Sequence, residues 1–341
     1  MDRVQSVYDT VDRGKGISMQ SKKEALLAIY RGEMPEFIPA ETKCTAGVVF
    51  PGDRYFGENE TGDDWWGVNW TRLGPDPGLD GSMVSKGFML FEDMEAWEEK
   101  VHFPDLDKLP VKQILQGMAS GMDRENNVTH VLMLSGAFER MNEMVGMENA
   151  LCAFYECPEA VADFFNAMCD YKLKCIQLAY DAVHPDIIHM HDDWGTNTNM
   201  FFSPELWREF IKPIEARYAK KIHELGMIYE HHSCGYITQI IPDLVEIGVD
   251  CINPLNICND MGMIKREYGQ RITLKGGINN QKIDAPGCPE SEIRAEARAA
   301  MDAYAPGGRY IPAYIYSSAA VRDIFNDEVE KYGAKIYSGT V

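Results

Sequence analysis

From residue 128 onward the chain repeats one beat: a short apolar run, a polar loop, then ten or more residues with apolar positions at helical spacing. The runs Val128 to Leu134, Asp186 to His191, Met227 to Ser233, Cys251 to Pro254, Ile272 to Gly276 and Tyr310 to Tyr314 read as strands. Helices are predicted between and after them, over Met141 to Tyr155, Pro158 to about Ala182, Ser203 to Leu225, Ile237 to Ile247, and about 260–268, 289–304 and 318–332. Crossover helices of this length imply parallel strands joined by right-handed connections. Six such units, with a further strand expected at Phe37 to Glu41, approach the eight of a barrel. The fold class is therefore α/β, a single (β/α)8 TIM barrel. A doubly wound sheet is the runner-up, weakened because Lys275-Gly276-Gly277-Ile278-Asn279 is not a GxGxxG fingerprint.

Ahead of the beat, Ser21 to Arg31 has apolar residues at helical spacing behind a Ser cap, and Pro35 and Pro39 end the pattern. Residues 1–20 read as an N-terminal extension and 21–341 as the barrel. The stretch 51–100 holds Trp65, Trp66, Trp70 and Trp97 among many Gly, Pro and Asp residues, a composition of long ordered loops. These indoles form either an aromatic lid over a flat ligand or a satellite core that plugs the barrel mouth.

Composition decides which partners to expect. With 33 basic and 53 acidic residues the formal charge is −20, which repels nucleic acid and anionic membrane surfaces. No run of about 18 apolar residues suggests a membrane span, and the polar opening MDRVQSVYDTVDRGKG lacks the apolar core of a signal peptide. Nine cysteines without regular spacing argue for reduced thiols. The chain is expected to be cytoplasmic and to meet a small molecule or another protein, with a homodimer left open. Cys152, Cys157, Cys169 and Cys175 read as buried thiols, and Met141, Met144 and Met147 as core.

In a barrel the polar residues that follow each strand converge on one mouth. Here they are Glu41 and Lys43; Phe138, Glu139 and Arg140; His191, Asp192 and Asp193; His232 and Cys234; Asn253; Lys275 and Asn279; and Tyr314. The densest set is GMIYEHHSCGY (226–236), where Glu230, His232 and Cys234 fall on one face of a strand. His232-Ser233-Cys234 can give a metal an imidazole and a thiolate. Four-coordinate zinc needs at least one more protein ligand, for which Glu230, Asp193 and Tyr316 are candidates. Each group also has a structural reading. His189 lies deeper in its strand and fits a core histidine; Asp192-Asp193 could supply an acid or base, or cap a turn; Glu139-Arg140 could orient a carboxylate, or form a salt bridge that closes the mouth.

GAFERMNEMVGMENAL (136–151), HDDWGTNTNMFFSPELWREFIKP (191–213), HSCG (232–235), GVDCINPLN (248–256) and LKGGINNQ (274–281) together resemble the uroporphyrinogen decarboxylase superfamily. The opening SKKEALLAIYRGEMPEFIPAE resembles it too, so the similarity spans roughly residues 20–335. The resemblance implies a (β/α)8 barrel. True uroporphyrinogen decarboxylases carry an RQAGRY segment after the first strand, whose cations hold tetrapyrrole carboxylates. This chain has ETKCTAG there, with little positive charge to offset desolvation of a polycarboxylate. Decarboxylation is thus an alternative, as is a non-catalytic barrel that binds a small ligand.

The other branch of the superfamily comprises corrinoid-dependent methyltransferases of anaerobic one-carbon metabolism. In its thiol-activating members zinc is held by an H-x-C pair plus a later cysteine near the last strand. His232 and Cys234 match the pair, whereas GGRYIPAYIYSS (307–318) has tyrosines where the later cysteine would fall. The Trp-rich stretch and the DDWG and FERM segments look closer to members that demethylate methoxylated compounds. The resemblance therefore implies an O-demethylase component that moves a methyl group from a methoxylated aromatic to cobalt. No D-x-H-x-x-G segment is present, so the corrinoid is expected on a partner protein. The implied roles are zinc on His232 and Cys234 with Glu230, and acid chemistry on Asp193, His191 and Asp192. Ring stacking falls to Trp66, Trp70 and Phe138, a ring carboxylate to Arg140 or Lys275, and Glu41 and Tyr314 line the pocket.

Overall fold

A computed structural model describes residues 20–52, 61–74, 81–314 and 318–337. The first helix, α1 (Lys22–Arg31), opens with a capping box in which Ser21 and Glu24 each satisfy the other's backbone N–H, and Gly32 ends it at a φ of 77°. Its Leu26, Ile29 and Tyr30 pack in one cluster with Val128, Ile187, Cys251 and Ile311, the inward residues at the first turns of the strands. The helix therefore closes the N-terminal end of the barrel.

The first strand, β1 (Thr45–Val49), comes later than the expected Phe37 to Glu41. Pro39 removes a ladder donor from that earlier stretch, and Glu41–Lys43 forms a 3-10 turn instead. β1 carries Gly47, a residue that weakens a strand signal, and it is needed there because a Cβ would stand 2.0 Å from the inward ring of His130. Part of the stretch expected as loops is ordered as a small antiparallel sheet of β2 (Gly62–Asp63), β3 (Asn69–Arg72) and β4 (Ser82–Val84).

Six strands follow: β5 (Val128–Met133), β6 (Ile187–His191), β7 (Ile228–His232), β8 (Cys251–Leu255), β9 (Thr273–Gly276) and β10 (Tyr310–Ile311). With β1 they form one parallel sheet in the order β1-β5-β6-β7-β8-β9-β10. The sheet curls into a (β/α)8-type barrel with seven strands among the described residues. Lys275 of β9 reaches across the interior to Glu41 just ahead of β1. The helix Ala319–Gly333 packs along residues 38–43 beside it, through Gly333 to Ile38, Asn326 to Thr42 and Glu330 to Lys43.

Two predicted helices are divided. Gly146, at a φ of 81°, splits the helix expected from Met141 into Ala137–Val145 and Met147–Glu156. Pro213 has no N–H for the ladder, and a π-helical turn, Trp207–Ile211, precedes it in the helix expected from Ser203. Met141 and Met144 are buried as expected, whereas Met147 and Cys152 are exposed and Cys157 is half-buried.

Candidate active site

Strand register builds the site in layers. His189 of β6 lies opposite Glu230 of β7, and one step higher His191 lies opposite His232. All four alternate with outward Ile188, Met190, Tyr229 and His231, so they point into the barrel. In the upper layer the imidazoles of His191 and His232 stack with centroids 4.0 Å apart and planes 11° from parallel. His191 Nδ1 is 2.7 Å from the Glu139 carboxylate, which fixes that ring from its far side.

The loops after the two strands complete the cluster. Cys234 N–H donates to Asp193 Oδ1 at 2.6 Å, and His232 Nε2 faces both Cys234 Sγ, at 3.4 Å, and Asp193 Oδ1, at 3.6 Å. Ligand atoms of His191, Asp193 and His232 all lie within 4.8 Å of one another. The loops are held together where Gly195 meets Gly235: a Cβ on Gly235 would stand 2.3 Å from the Gly195 carbonyl carbon, and Tyr236 N–H donates to Thr196 O at 2.7 Å. Only glycine fits this approach, and Gly235 also sits at a φ of 83°.

Asp192, the neighbour of Asp193, points elsewhere. Gly136, the N-cap of helix Ala137–Val145, has no side chain to cap with, and Asp192 accepts the N–H groups of Phe138 and Glu139 in its place. A Cβ on Gly136 would collide with that carboxyl group.

Beneath the histidines lies a charged layer. Lys275 Nζ is 2.5 Å from Glu41 Oε1 and 3.0 Å from Glu230 Oε1. Glu230 is also held by His189 Nδ1 at 2.9 Å, Asn253 Nδ2 at 2.9 Å and Tyr30 Oη at 2.5 Å. Burial would raise the Glu230 carboxyl, but Lys275, His189 and Tyr30 outweigh it and hold the group well below its ordinary range. Burial likewise disfavours the Lys275 ammonium, and Glu230 and Glu41 reverse that. Glu41 is pushed up, by burial first and by Glu230 as well, against the pull of Lys275. Glu230 is therefore committed to this network rather than turned toward His232 and Cys234. Tyr316, the other alternative ligand, lies outside the described residues.

Four expected ligand contacts are core instead. Arg140 is fully buried, with Nη1 2.8 Å from Asp64 Oδ2 and 3.2 Å from Glu143 Oε2. Trp66 packs edge-on to Phe103 and Tyr171 beneath that guanidinium, and Trp70 Nε1 donates to Asp64 at 3.0 Å. Phe138 is enclosed by Phe154, Phe201 and Phe202. Trp66 and Trp70 thus follow the plug reading, since both are buried, while Trp65 and Trp97 are partly exposed and pack against the core.

Tyr314 and Cys234 line a small cleft of about 80 Å3 together with Leu255, Asn256, Gly276 and Asn280. The asparagines of this cleft were missed in the sequence. Their signal was the density of Asn in NPLNICND (253–260), which runs out of the end of β8, and in GINNQ (277–281), which follows β9.

A barrel that gathers imidazoles, a carboxylate and a thiol at the C-terminal ends of neighbouring strands belongs to the enzyme-like class of this fold. The family model for uroporphyrinogen decarboxylase (URO-D) matches residues 79–314, and the chain belongs to that family. Among curated relatives, the methylcobamide:CoM methyltransferase MtaA of Methanosarcina barkeri is 25% identical over 153 residues, 44% of this chain and 40% of that protein. The methylated-thiol-coenzyme M methyltransferase of Methanosarcina mazei is 23% identical over 202 residues, 57% of this chain and 50% of that protein. The chain thus spans half or less of the length of these relatives. A solved methyltransferase from Methanosarcina mazei superposes with a TM-score of 0.67 at 14% identity, covering 92% of this chain and 99% of that one, and shares the fold.

Proposed function

We propose that this chain is a methyltransferase that moves a methyl group from a small donor, an aryl methyl ether, to the cobalt of a corrinoid carried by a separate protein. One observation carries the reading: His191, Asp193, His232 and Cys234 meet beside a cleft at the strand ends, in a chain whose relatives are named as methyltransferases.

His191, Asp193 and His232 suit zinc as a donor set of two imidazoles and a carboxylate, with the Cys234 thiol 3.4 Å from His232 Nε2 as a further donor. Burial, with the neighbouring His191 and His189, keeps His232 well below its ordinary range and hence neutral, the form that ligates. Burial, with Asp193 and Glu139 nearby, pushes the Cys234 thiol up to about 12, so binding would have to release that proton. Glu139 on His191 Nδ1 reserves Nε2 for a ligand, the arrangement that orients metal-binding histidines. A bound zinc ion supplies Lewis acidity to the donor oxygen, which matters because a phenolate is a poor leaving group.

The remaining work falls to the protein. Lys275 keeps its positive charge one layer below the histidines, where it offsets the buried Glu230 carboxylate. Glu41, pushed up by burial, is the carboxyl of that layer best suited to hold a proton. A second reading, methyl transfer to a small thiol, is favoured by the names of the curated relatives, both of which use coenzyme M.

The test is methyl transfer from methoxylated aromatics to cob(I)alamin, run beside transfer from methylcobalamin to coenzyme M, with metal content measured on the same protein. About one zinc per chain is expected, and His232→Ala should lose the metal and at least about 100-fold in rate. Activity with coenzyme M alone would select the thiol reading. Full methyl transfer by His232→Ala would remove this cluster from the reaction.

A further inference from the structure

Beside the Cys234 cleft the barrel mouth holds carboxamides that the proposed chemistry does not use. Asn197 follows β6, Asn256 follows β8, and Asn279, Asn280 and Gln281 follow β9, and with Ile257 and Cys258 they line a pocket of about 220 Å3. The pocket adjoins the cleft, with Asn256 and Asn280 common to both. Asn279 is engaged, its Oδ1 accepting the Lys282 N–H. Asn256 Oδ1 accepts the Gly235 N–H at 2.9 Å. The Asn256 Nδ2, and the whole carboxamides of Asn197, Asn280 and Gln281, hydrogen-bond to no described residue. No charged side chain lines the pocket.

A carboxamide offers two N–H donors and a carbonyl acceptor, all neutral, and its full complement is another carboxamide. A carboxylate would find no cation here and would leave the pocket's acceptors unpaired. The rim of a corrin macrocycle carries primary acetamide and propionamide chains. The pocket is too small for the ring, but it has room for such a chain while the ring covers the cleft. We infer that this pocket is a docking subsite for the amide rim of the corrin, read by Asn197, Asn256, Asn280 and Gln281. The inference rests on the corrinoid-dependent reading above and extends it to how the corrin is recognised and aligned over Cys234.

The test compares two free corrins by equilibrium dialysis: dicyanocobinamide, whose rim is amidated, and dicyanocobyrinic acid, whose rim chains are carboxylates. The wild-type protein should bind the amidated corrin at least about tenfold more tightly. The triple variant Asn256→Asp, Asn280→Asp, Gln281→Glu should lose about tenfold or more toward dicyanocobinamide. Asn256→Asp keeps the oxygen that accepts the Gly235 N–H, and the side chains lie at the mouth, so an unchanged thermal midpoint checks that the variant folds. A second variant, Asn280→Ala with Gln281→Ala, should weaken the same corrin without adding charge. Equal affinity for the two corrins, undiminished binding by both variants, or no binding of either corrin by the wild type would overturn the subsite. Methyl transfer to cob(I)alamin, followed in the same preparations, separates the two ideas. Transfer that persists while corrin choice is indifferent sinks the subsite alone, and transfer absent from every donor sinks the methyltransferase reading itself.

Discussion

Asp192 and Asp193 adjoin in the chain and have unrelated tasks. One caps the helix Ala137–Val145 from outside it; the other stands beside His232 and the Cys234 backbone. Nothing in the dipeptide tells them apart, because the distinction depends on Gly136 lacking a side chain 56 positions earlier. Arg140 poses the same problem in reverse. It follows a strand, as a mouth residue should, but Asp64 is drawn in from 76 positions away and takes the guanidinium into the core. Asp64 also accepts the Trp66 and Val68 N–H groups and the Trp70 indole, so the charge is central to the small sheet. Arg140→Met should therefore cost about 3–5 kcal/mol, since it strands a buried carboxylate. Adding Asp64→Asn should return part of that loss, as measured by denaturant unfolding. A loss below about 1 kcal/mol would place the pair among surface-like ion pairs instead.

At the scale of elements, the six later strands and their helices were legible because a buried parallel strand and an amphipathic helix each leave a periodic trace. β1 was not, since Gly47 interrupts its trace for the sake of the His130 ring. The antiparallel sheet was also hidden, because its strands are two to four residues long. The candidate cluster was half legible. The same-face spacing of His189 with His191 and of Glu230 with His232 could be read along each strand. That β6 and β7 pair in the register joining His191 to His232 is a property of two strands at once. Fixing Asp193 against Cys234 depends in turn on the glycine contact beyond those strands. Gly235→Ala should destabilise the fold by at least about 1–3 kcal/mol from the left-handed backbone alone, with the steric overlap added. The same variant should weaken zinc uptake by pulling Asp193 from Cys234. Unfolding and metal titration read these two effects separately, and normal values of both would mean that the loops relax independently.

For the whole molecule the governing number is the charge. A formal −20 spread over one barrel repels itself, and this repulsion is screened as salt shortens the Debye length from about 30 Å at 0.01 M to about 8 Å at 0.15 M. The thermal midpoint should rise over that interval, by about 1–2 °C if screening contributes about 1 kcal/mol. A falling midpoint would mean that attractive pairs, such as Arg294 with Asp327 and Glu328, outweigh the net repulsion. Among the described residues no helix is long and apolar enough to cross a membrane. The division of labour across the barrel also follows from its layers. α1 and apolar side chains fill the N-terminal end, the charged layer of Lys275, Glu41 and Glu230 occupies the middle, and the histidines stand above it.

The backbone contact between Gly195 and Gly235 bears on how such a barrel can be diversified. Loops that end barrel strands are usually free to vary one at a time, which is why the fold hosts so many chemistries. Here two of them press main chain on main chain, so neither can be lengthened, recoloured or swapped alone. A library aimed at new substrates would have to treat residues 193–196 and 233–236 as a single inherited piece and place its variation in loops outside that contact.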